Sequence, residues 1–189
     1  MSDSAPTLAV IIGSTRPTRA GEAVARWFDA RARGHGGFAV ELVDLAEVNL
    51  PLLDEPHQAV KRMYEHEHTR RWSETVSRAD AFAFVTPEYN HGVNGATKNA
   101  IDYLYHEWRH KPFAIVSYGG ASRGLRAAQA LTLSLVSLNM ASAGVLSISL
   151  ATHPVTDGLF AGDDALAASA ASTLDEMKRL STALRPLRD

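Results

Sequence analysis

The sequence contains no cysteine, which excludes disulfide bonds, thiolate nucleophiles and thiolate metal ligands. No apolar stretch approaches the ~20 residues that cross a bilayer, and the polar start lacks the apolar run of a signal peptide. Neither sign of charge predominates, because 19 Lys and Arg stand against 21 Asp and Glu. A near-neutral chain has no general attraction for nucleic acid or an anionic membrane surface. These absences predict a cytoplasmic protein that binds neither.

The remaining composition is that of an ordinary globular protein, with 46% apolar and 21% charged residues. A chain of 189 residues is long enough for one domain with a sizeable core and short for two. We therefore expect a single domain over residues 1–189.

Short apolar runs alternate with longer amphipathic segments from end to end. The predicted strands are residues 8–12, 38–45, 81–86, 113–118 and 143–150, and the predicted helices are residues 20–33, 57–78 (one helix or a pair), 95–108, 122–139 and 163–184. Five apolar strands separated by helices predict an α/β fold with a parallel sheet covered on both faces, in three α/β/α layers. Five such units fit the doubly wound strand order 2-1-3-4-5.

In that order the first, third and fourth strands are neighbours, so the loops after them converge where the winding reverses, which is where ligands bind in such sheets. The first loop (residues 13–21) carries three hydroxyls and two arginines before a helix N-terminus. Helix N-terminal amides and arginines favour an anion, so this loop predicts a phosphate site. The alternative is a Ser/Thr helix cap beside two solvated arginines.

Two further loops share this edge of the predicted sheet. The second loop (residues 87–95) is a shaped turn with an aromatic ring and two glycines. The third loop (residues 117–124) has a glycine pair that lets the backbone approach a flat ligand closely. Either loop could instead be an ordinary strand-to-helix turn, the second with a helix cap at Asn94.

Four parts of the chain match motifs of one known family. They are Gly-Ser-Thr-Arg at 13–16, Leu-Pro-Leu-Leu-Asp at 50–54, Pro-Glu-Tyr-Asn at 87–90 with Lys-Asn-Ala-Ile-Asp at 98–102, and Ser-Tyr-Gly-Gly at 117–120. In this order they resemble the NADPH-dependent FMN reductase family of flavodoxin-like proteins, which includes quinone, azo-dye and chromate reductases. The resemblance implies an FMN cofactor, NADPH or NADH as co-substrate, and hydride transfer from the nicotinamide to FMN N5 and on to a quinone, free flavin or similar small-molecule acceptor. It also implies a homodimer or homotetramer.

The resemblance further implies which residues bind FMN. The phosphate would contact Ser14, Thr15, Arg16, Arg19, Ala20, Gly21 and Glu22; the isoalloxazine ring would contact Pro87, Glu88, Tyr89 and Asn90 along one edge and Ser117, Tyr118, Gly119 and Gly120 along the other. Hydride transfer needs no acid or base, so no catalytic side chain is predicted. The chain departs from the family at residues 93–95, where proline is common, and at Arg123, where many relatives have a small residue. Arg123 could meet the 2′-phosphate of NADPH or simply lie at the surface.

Other patterns suggest different functions. Residues 106–110 read His-Glu-Trp-Arg-His, the spacing of zinc metallopeptidases. Pro112 disfavours helix just before it, which places His110 at a frayed end, so we predict no metal site. Two alternatives to the flavin reductase stay open. One is a zinc hydrolase using His106 and His110, against which the proline argues. The other is an FMN-binding electron carrier without direct NAD(P)H turnover. Trp72 and Trp108 are candidates for burying a subunit contact.

Overall fold

The computed structural model describes residues 5–188. The strands are β1 (Thr7–Ile12), β2 (Ala39–Asp44), β3 (Ala81–Tyr89), β4 (Gly92–Val93), β5 (Pro112–Gly119), β6 (Ala141–Ser149), β7 (Val155–Thr156) and β8 (Leu159–Phe160). The helices are α1 (Gly21–His35), α2 (Leu45–Val48), α3 (Glu67–Arg78), α4 (Gly95–Asp102), α5 (Leu125–Ser137) and α6 (Asp164–Leu184). Single 3₁₀ turns cover Ala59–Lys61, His106–Trp108 and Arg185–Leu187.

Five parallel strands form the main sheet in the order β2-β1-β3-β5-β6. This is the predicted winding, because the two-residue β4 only forms a hairpin with β3. One face of the sheet packs on α1 and α6 around Phe28 and Met177, and the other packs on α3, α4 and α5 around Phe84 and Leu131. The flavodoxin-like three-layer fold is thus confirmed. No helix within residues 5–188 has the length and hydropathy of a membrane span.

Strand β3 runs beyond its predicted end, through Pro87 to Tyr89. Proline lacks the N–H that a central strand donates. The Val85 carbonyl accepts from the Gly13 N–H at 2.9 Å, so Val85 and, two residues on, Pro87 face the side of β1. Because β1 has ended at Ile12, no partner strand on that side requires the missing donor.

Helix α4 stops at Asp102, whereas the sequence predicted a helix to residue 108. Two buried indoles explain the stop. The Nε1–H of Trp72 donates to the Ala100 carbonyl at 2.8 Å, and that of Trp108 donates to the Ile101 carbonyl at 3.2 Å. These are carbonyls that a continuing helix would use. Since both tryptophans are at most 2% exposed within one chain, the expectation that they bury a subunit contact is wrong.

The segment before α3 contains only the 3₁₀ turn Ala59–Lys61, which corrects the helix or pair of helices predicted over residues 57–78. The Glu55 carboxylate accepts from the amides of Glu65 and His66, at 2.8 and 3.1 Å. This contact from outside the helix satisfies the amides immediately before α3, so the helix begins only at Glu67.

Candidate functional site

The three loops singled out in the sequence leave the same edge of the sheet. Ile12 of β1 lies opposite Val85 of β3, and Thr86 lies opposite Ser117 of β5, so the three strands end side by side. All the residues predicted to bind FMN therefore lie on these loops or on the first turn of α1. The tertiary structure brings together what the chain spreads over about one hundred residues.

The first loop and the start of α1 have the features of an anion site. Ala20 provides no side-chain cap, so the first-turn amides of α1 are not satisfied by one. The Arg16 side chain is exposed and, among residues 5–188, makes no ion pair. The Ser14 hydroxyl is buried; within residues 5–188 it has no partner at hydrogen-bond distance, although the Tyr118 hydroxyl lies near it. Free amides, a free guanidinium and an unsatisfied hydroxyl fit a phosphate group.

Arg19 has a different environment from Arg16. Its guanidinium donates to the Ser14 carbonyl at 3.2 Å and pairs closely with Asp44, at the end of β2. The other Asp44 oxygen accepts from the Ala46 amide at 2.9 Å and caps α2. With both charged side chains less than 15% exposed, Arg19 braces the first loop against β2. Arg16 is the arginine left to meet a ligand.

The buried Tyr118 side chain lies next to Ser14 of the first loop and to Gly21, the first residue of α1. This side chain is 4% exposed, and burial raises the pKa of its hydroxyl to about 12, against the opposing influence of Ser14 and the nearby arginines. A Cβ on Gly21 would lie 2.4 Å from the Tyr118 hydroxyl oxygen and 2.2 Å from Ser14 Oγ. Only glycine therefore allows α1 to start this close to the sheet.

The second loop is a two-residue hairpin turn. Asn90 and His91 both have positive φ, 49° and 66°, as such a turn requires. Glu88 and Tyr89 pair with Val93 and Gly92 across it. The departure from the family at residues 93–95 thus lies at the return strand β4 and the start of α4, and the exposed tip consists of residues 89–91.

The Asn94 side chain connects β3, α4 and the first loop. This role differs from the helix cap that the sequence suggested. Its side-chain oxygen accepts from the hydroxyls of Thr86 and Thr97, at 2.9 and 2.8 Å, and its amide donates to the Gly13 carbonyl. The side chain makes no capping bond to α4. A buried amide with both ends satisfied thereby fixes the second loop to the first.

Glu88 connects the second loop to the third. Its carboxylate accepts from the backbone amide of Arg126 at 3.1 Å and from the Arg126 guanidinium at 2.9 Å, in the first turn of α5. Burial raises the pKa of Glu88, but hydrogen bonds from Ser122 and Arg126 outweigh burial and hold it below its usual range. Only the backbone of Glu88 is then available to a ring, because its side chain is engaged elsewhere.

Replacing Glu88 with glutamine is expected to change the acid stability of the protein. A depressed folded-state pKa contributes stability above the unfolded pKa of about 4.3, which is lost as pH falls through the folded value. The free energy of unfolding in urea should therefore fall less steeply below about pH 4.5 in Glu88→Gln than in the wild type. Glu176→Gln on α6 is the comparison, because Arg179 also lowers the pKa of this carboxylate but the pair is exposed, so its loss should change the curve less than the loss of Glu88 does. Parallel curves for wild type and Glu88→Gln would contradict the assignment.

The His-Glu-x-x-His residues do not share a helical face. His106 lies in a 3₁₀ turn with its Nε2 2.8 Å from the Val60 carbonyl oxygen. His110 has a φ of 56° and lies outside any helix. Within residues 5–188 no group of three or more His, Asp or Glu side chains is placed to hold a metal ion. This geometry does not favour the zinc hydrolase.

The same edge of the sheet fits FMN as a whole. The anion site at α1 suits its phosphate, and the two loops that flank β3 and β5 expose backbone at glycine-containing turns, which suits a flat ring. The fit rests on main-chain groups and Arg16 more than on the side chains of Arg19, Glu88 and Tyr118, which the protein itself uses.

Comparison with known proteins supports this assignment. The chain is 42% identical over 126 residues to an NAD(P)H-dependent FMN reductase of Schizosaccharomyces pombe, covering 66% of this chain and 63% of that protein. It is 37% identical over 140 residues to a quinone reductase of Pseudomonas putida, covering 71% and 72%. The match thus spans somewhat less than two thirds of the S. pombe protein.

The fold also resembles solved flavoenzymes. FerB, an NAD(P)H:(acceptor) oxidoreductase from Paracoccus denitrificans, superposes with a TM-score of 0.71 at 22% identity, covering 92% of this chain and 98% of FerB. That similarity concerns the fold. The sequence profile of the NADPH-dependent FMN reductases matches residues 6–153, and with the motifs on the three converging loops this shows that the chain belongs to the NADPH-dependent FMN reductase family.

Proposed function

We propose that the protein is an FMN-dependent oxidoreductase that uses NADPH or NADH to reduce a small-molecule acceptor, such as a quinone or free flavin. The observation that carries this proposal is the convergence of the uncapped start of α1, Arg16 and two glycine-containing loops at one edge of the sheet. The named activities of the S. pombe and P. putida relatives support it.

Each loop has a separate task in this proposal. FMN, when bound, supplies the two-electron chemistry. The α1 amides and Arg16 bind its phosphate, while Arg19 and Asp44 hold the first loop in place. Backbone N–H groups of the third loop provide donors for an electron-rich ring edge. No side chain has to move a proton for hydride transfer.

A cavity beside the first loop offers room for an acceptor. It measures about 440 Å³ and lies between Thr15, the segment after β2 and the start of α4. Leu45, Leu50 and Leu52 give it apolar walls, and Thr15 and Asn49 add polar groups. Apolar side chains interspersed with polar groups suit a small aromatic molecule that carries oxygen atoms, such as a quinone.

Anaerobic titration tests the proposed function. The purified protein incubated with FMN should retain flavin through gel filtration, and NADPH should bleach its visible absorbance without oxygen. Bound flavin that resists both nucleotides would instead indicate an electron carrier. A protein that does not bind FMN would refute the proposal. The control is the double variant His106→Gln/His110→Gln, which alters neither loop and is expected to keep full activity.

We further propose that the protein forms one domain over residues 1–189 and works as a homodimer or homotetramer in the cytoplasm, where nicotinamide nucleotides are regenerated. Exposed apolar side chains on α5, Leu133 and Val136, support self-association. Light scattering that gives a monomer at micromolar concentration would contradict the oligomer.

A further inference from the structure

A separate cavity of about 370 Å³ adjoins the third loop. It lies between the end of β6 and the first turns of α6, with Arg123 at one side. Ser149, the last residue of β6, is paired with Gly119, and the Leu150 amide donates to the Gly119 carbonyl at 2.9 Å. The cavity is therefore a direct neighbour of the loop assigned to the edge of the FMN ring.

Arg123 has an unusual backbone conformation beside this cavity. Its φ is 55°, in the left-handed region where an arginine is strained and a glycine is not. The Ser117 hydroxyl donates to its carbonyl at 3.1 Å, and its own amide donates to Gly120 at 3.0 Å, which hold the conformation. Among residues 5–188 its guanidinium is exposed and forms no ion pair. The fold thus keeps an unpaired cation at a position that favours glycine.

The other polar side chains that line the cavity are one imidazole, one carboxylate and several hydroxyls. His153 Nε2 lies 3.1 Å from Asp163 Oδ2, and its Nδ1 lies 3.0 Å from Thr152 Oγ1. Asp163 also accepts from the Leu166 amide at 2.8 Å as the cap of α6. The Asp163 carboxylate that lines the cavity is thus engaged by an imidazole and an amide, which reduces its repulsion of an incoming anion. Ser147, Ser149 and Thr152 add hydroxyls.

We infer that this cavity binds the 2′-phosphate of NADPH and that Arg123 is the residue that recognises it. The inference rests on the proposed function, since the nicotinamide must reach the FMN ring beside the third loop. A 2′-phosphate is a dianion with three acceptor oxygens, which suits a guanidinium and nearby hydroxyls. An arginine is also what dinucleotide sites use to accommodate this group. NADH carries a hydroxyl there and gains nothing from Arg123.

Binding of a fragment without nicotinamide tests the site directly. The FMN-loaded protein should bind adenosine 2′,5′-bisphosphate more tightly than 5′-AMP in calorimetry. Arg123→Gly should weaken the bisphosphate roughly 10- to 100-fold, the range of a lost charged hydrogen bond, and leave 5′-AMP unchanged. Glycine relieves the left-handed strain, so the Tm should stay equal or rise, and the loss cannot come from unfolding.

Two controls complete this experiment. Arg123→Lys keeps a charge and should retain part of the preference, whereas Arg179→Gln removes an exposed, paired arginine of α6 and should change nothing. In steady-state kinetics Arg123→Gly should raise the KM for NADPH by the same factor and leave that for NADH and the affinity for FMN unaltered.

Three results would overturn the inference. They are equal binding of the two adenosine probes by the wild type, an unchanged preference in Arg123→Gly, and inorganic phosphate binding as tightly as the bisphosphate. If either nucleotide still bleaches the flavin, only the 2′-phosphate site fails and the proposed function stands. A protein that never binds FMN would instead refute the function.

Discussion

Replacing Gly21 with alanine is expected to weaken FMN binding roughly 10- to 100-fold and to lower the free energy of unfolding by about 1–3 kcal/mol. The added Cβ would lie 2.2 Å from Ser14 Oγ and 2.4 Å from the Tyr118 hydroxyl oxygen. The serine can rotate, but the tyrosine ring is buried and cannot withdraw, so the start of α1 must move outward. Its amides then no longer point to the proposed position of the FMN phosphate. Urea unfolding and FMN titration measure the two effects.

Gly34→Ala in the same helix is the matched control. No atom lies within 4 Å of a Cβ built there, so this alanine should follow ordinary helix propensity and stabilise the protein by about 0.5–1 kcal/mol. The two substitutions are chemically identical and have opposite expected signs. If Gly21→Ala also stabilises the protein and leaves FMN affinity intact, the close approach of α1 to Tyr118 has no functional importance.

Replacing Asn94 with alanine is expected to cost about 2–4 kcal/mol of stability and to lower FMN affinity in parallel. The side chain is 3% exposed and joins Thr86, Thr97 and the Gly13 carbonyl. Its removal leaves several buried polar groups without partners, and water can replace them only by entering between the first and second loops. The midpoint of urea unfolding should fall at an unchanged m value.

Two further variants separate the contacts of Asn94. Thr97→Val removes one of its two hydroxyl donors and should cost about 1 kcal/mol. Asn94→Asp keeps the acceptor but places a carboxylate oxygen against the Gly13 carbonyl, so it should be destabilised at neutral pH and partly recover in acid, when a proton restores a donor. If Asn94→Ala loses no more stability than Thr97→Val, the contact between the loops contributes little.

Three side-chain contacts around the site have the same effect of holding a loop in place. Arg19 with Asp44, Asn94 with Gly13, and Glu88 with Arg126 tie each loop to a neighbouring element. A loop that is already held in place loses less conformational freedom when a ligand binds. The side chains around the site therefore work mainly on the protein, and main-chain groups are left for the ligand.

Much of the fold could be predicted from the sequence alone. Apolar runs such as residues 81–86 and 113–118 are local patterns, and their alternation with amphipathic segments restricts the sheet to a parallel, doubly wound order. The order in turn places the first, second and third loops together. The motif pair Pro-Glu-Tyr-Asn and Lys-Asn-Ala-Ile-Asp then indicated the family, which the profile match over residues 6–153 confirmed.

What the sequence by itself determined is thus the winding of the chain, the edge where the loops meet and the family. The tertiary structure alone decided where α4 ends, since that depends on the Trp72 and Trp108 indoles, and which arginine of the first loop is free, since Asp44 engages Arg19. It also decided that Asn94 is a cross-link, through a bond to a residue 81 positions away. The periodicity of a helix or strand is visible in neighbouring residues of the sequence. The hydrogen-bond partner of a buried polar group, in contrast, depends on which residues lie close in space, and a local sequence pattern does not show this.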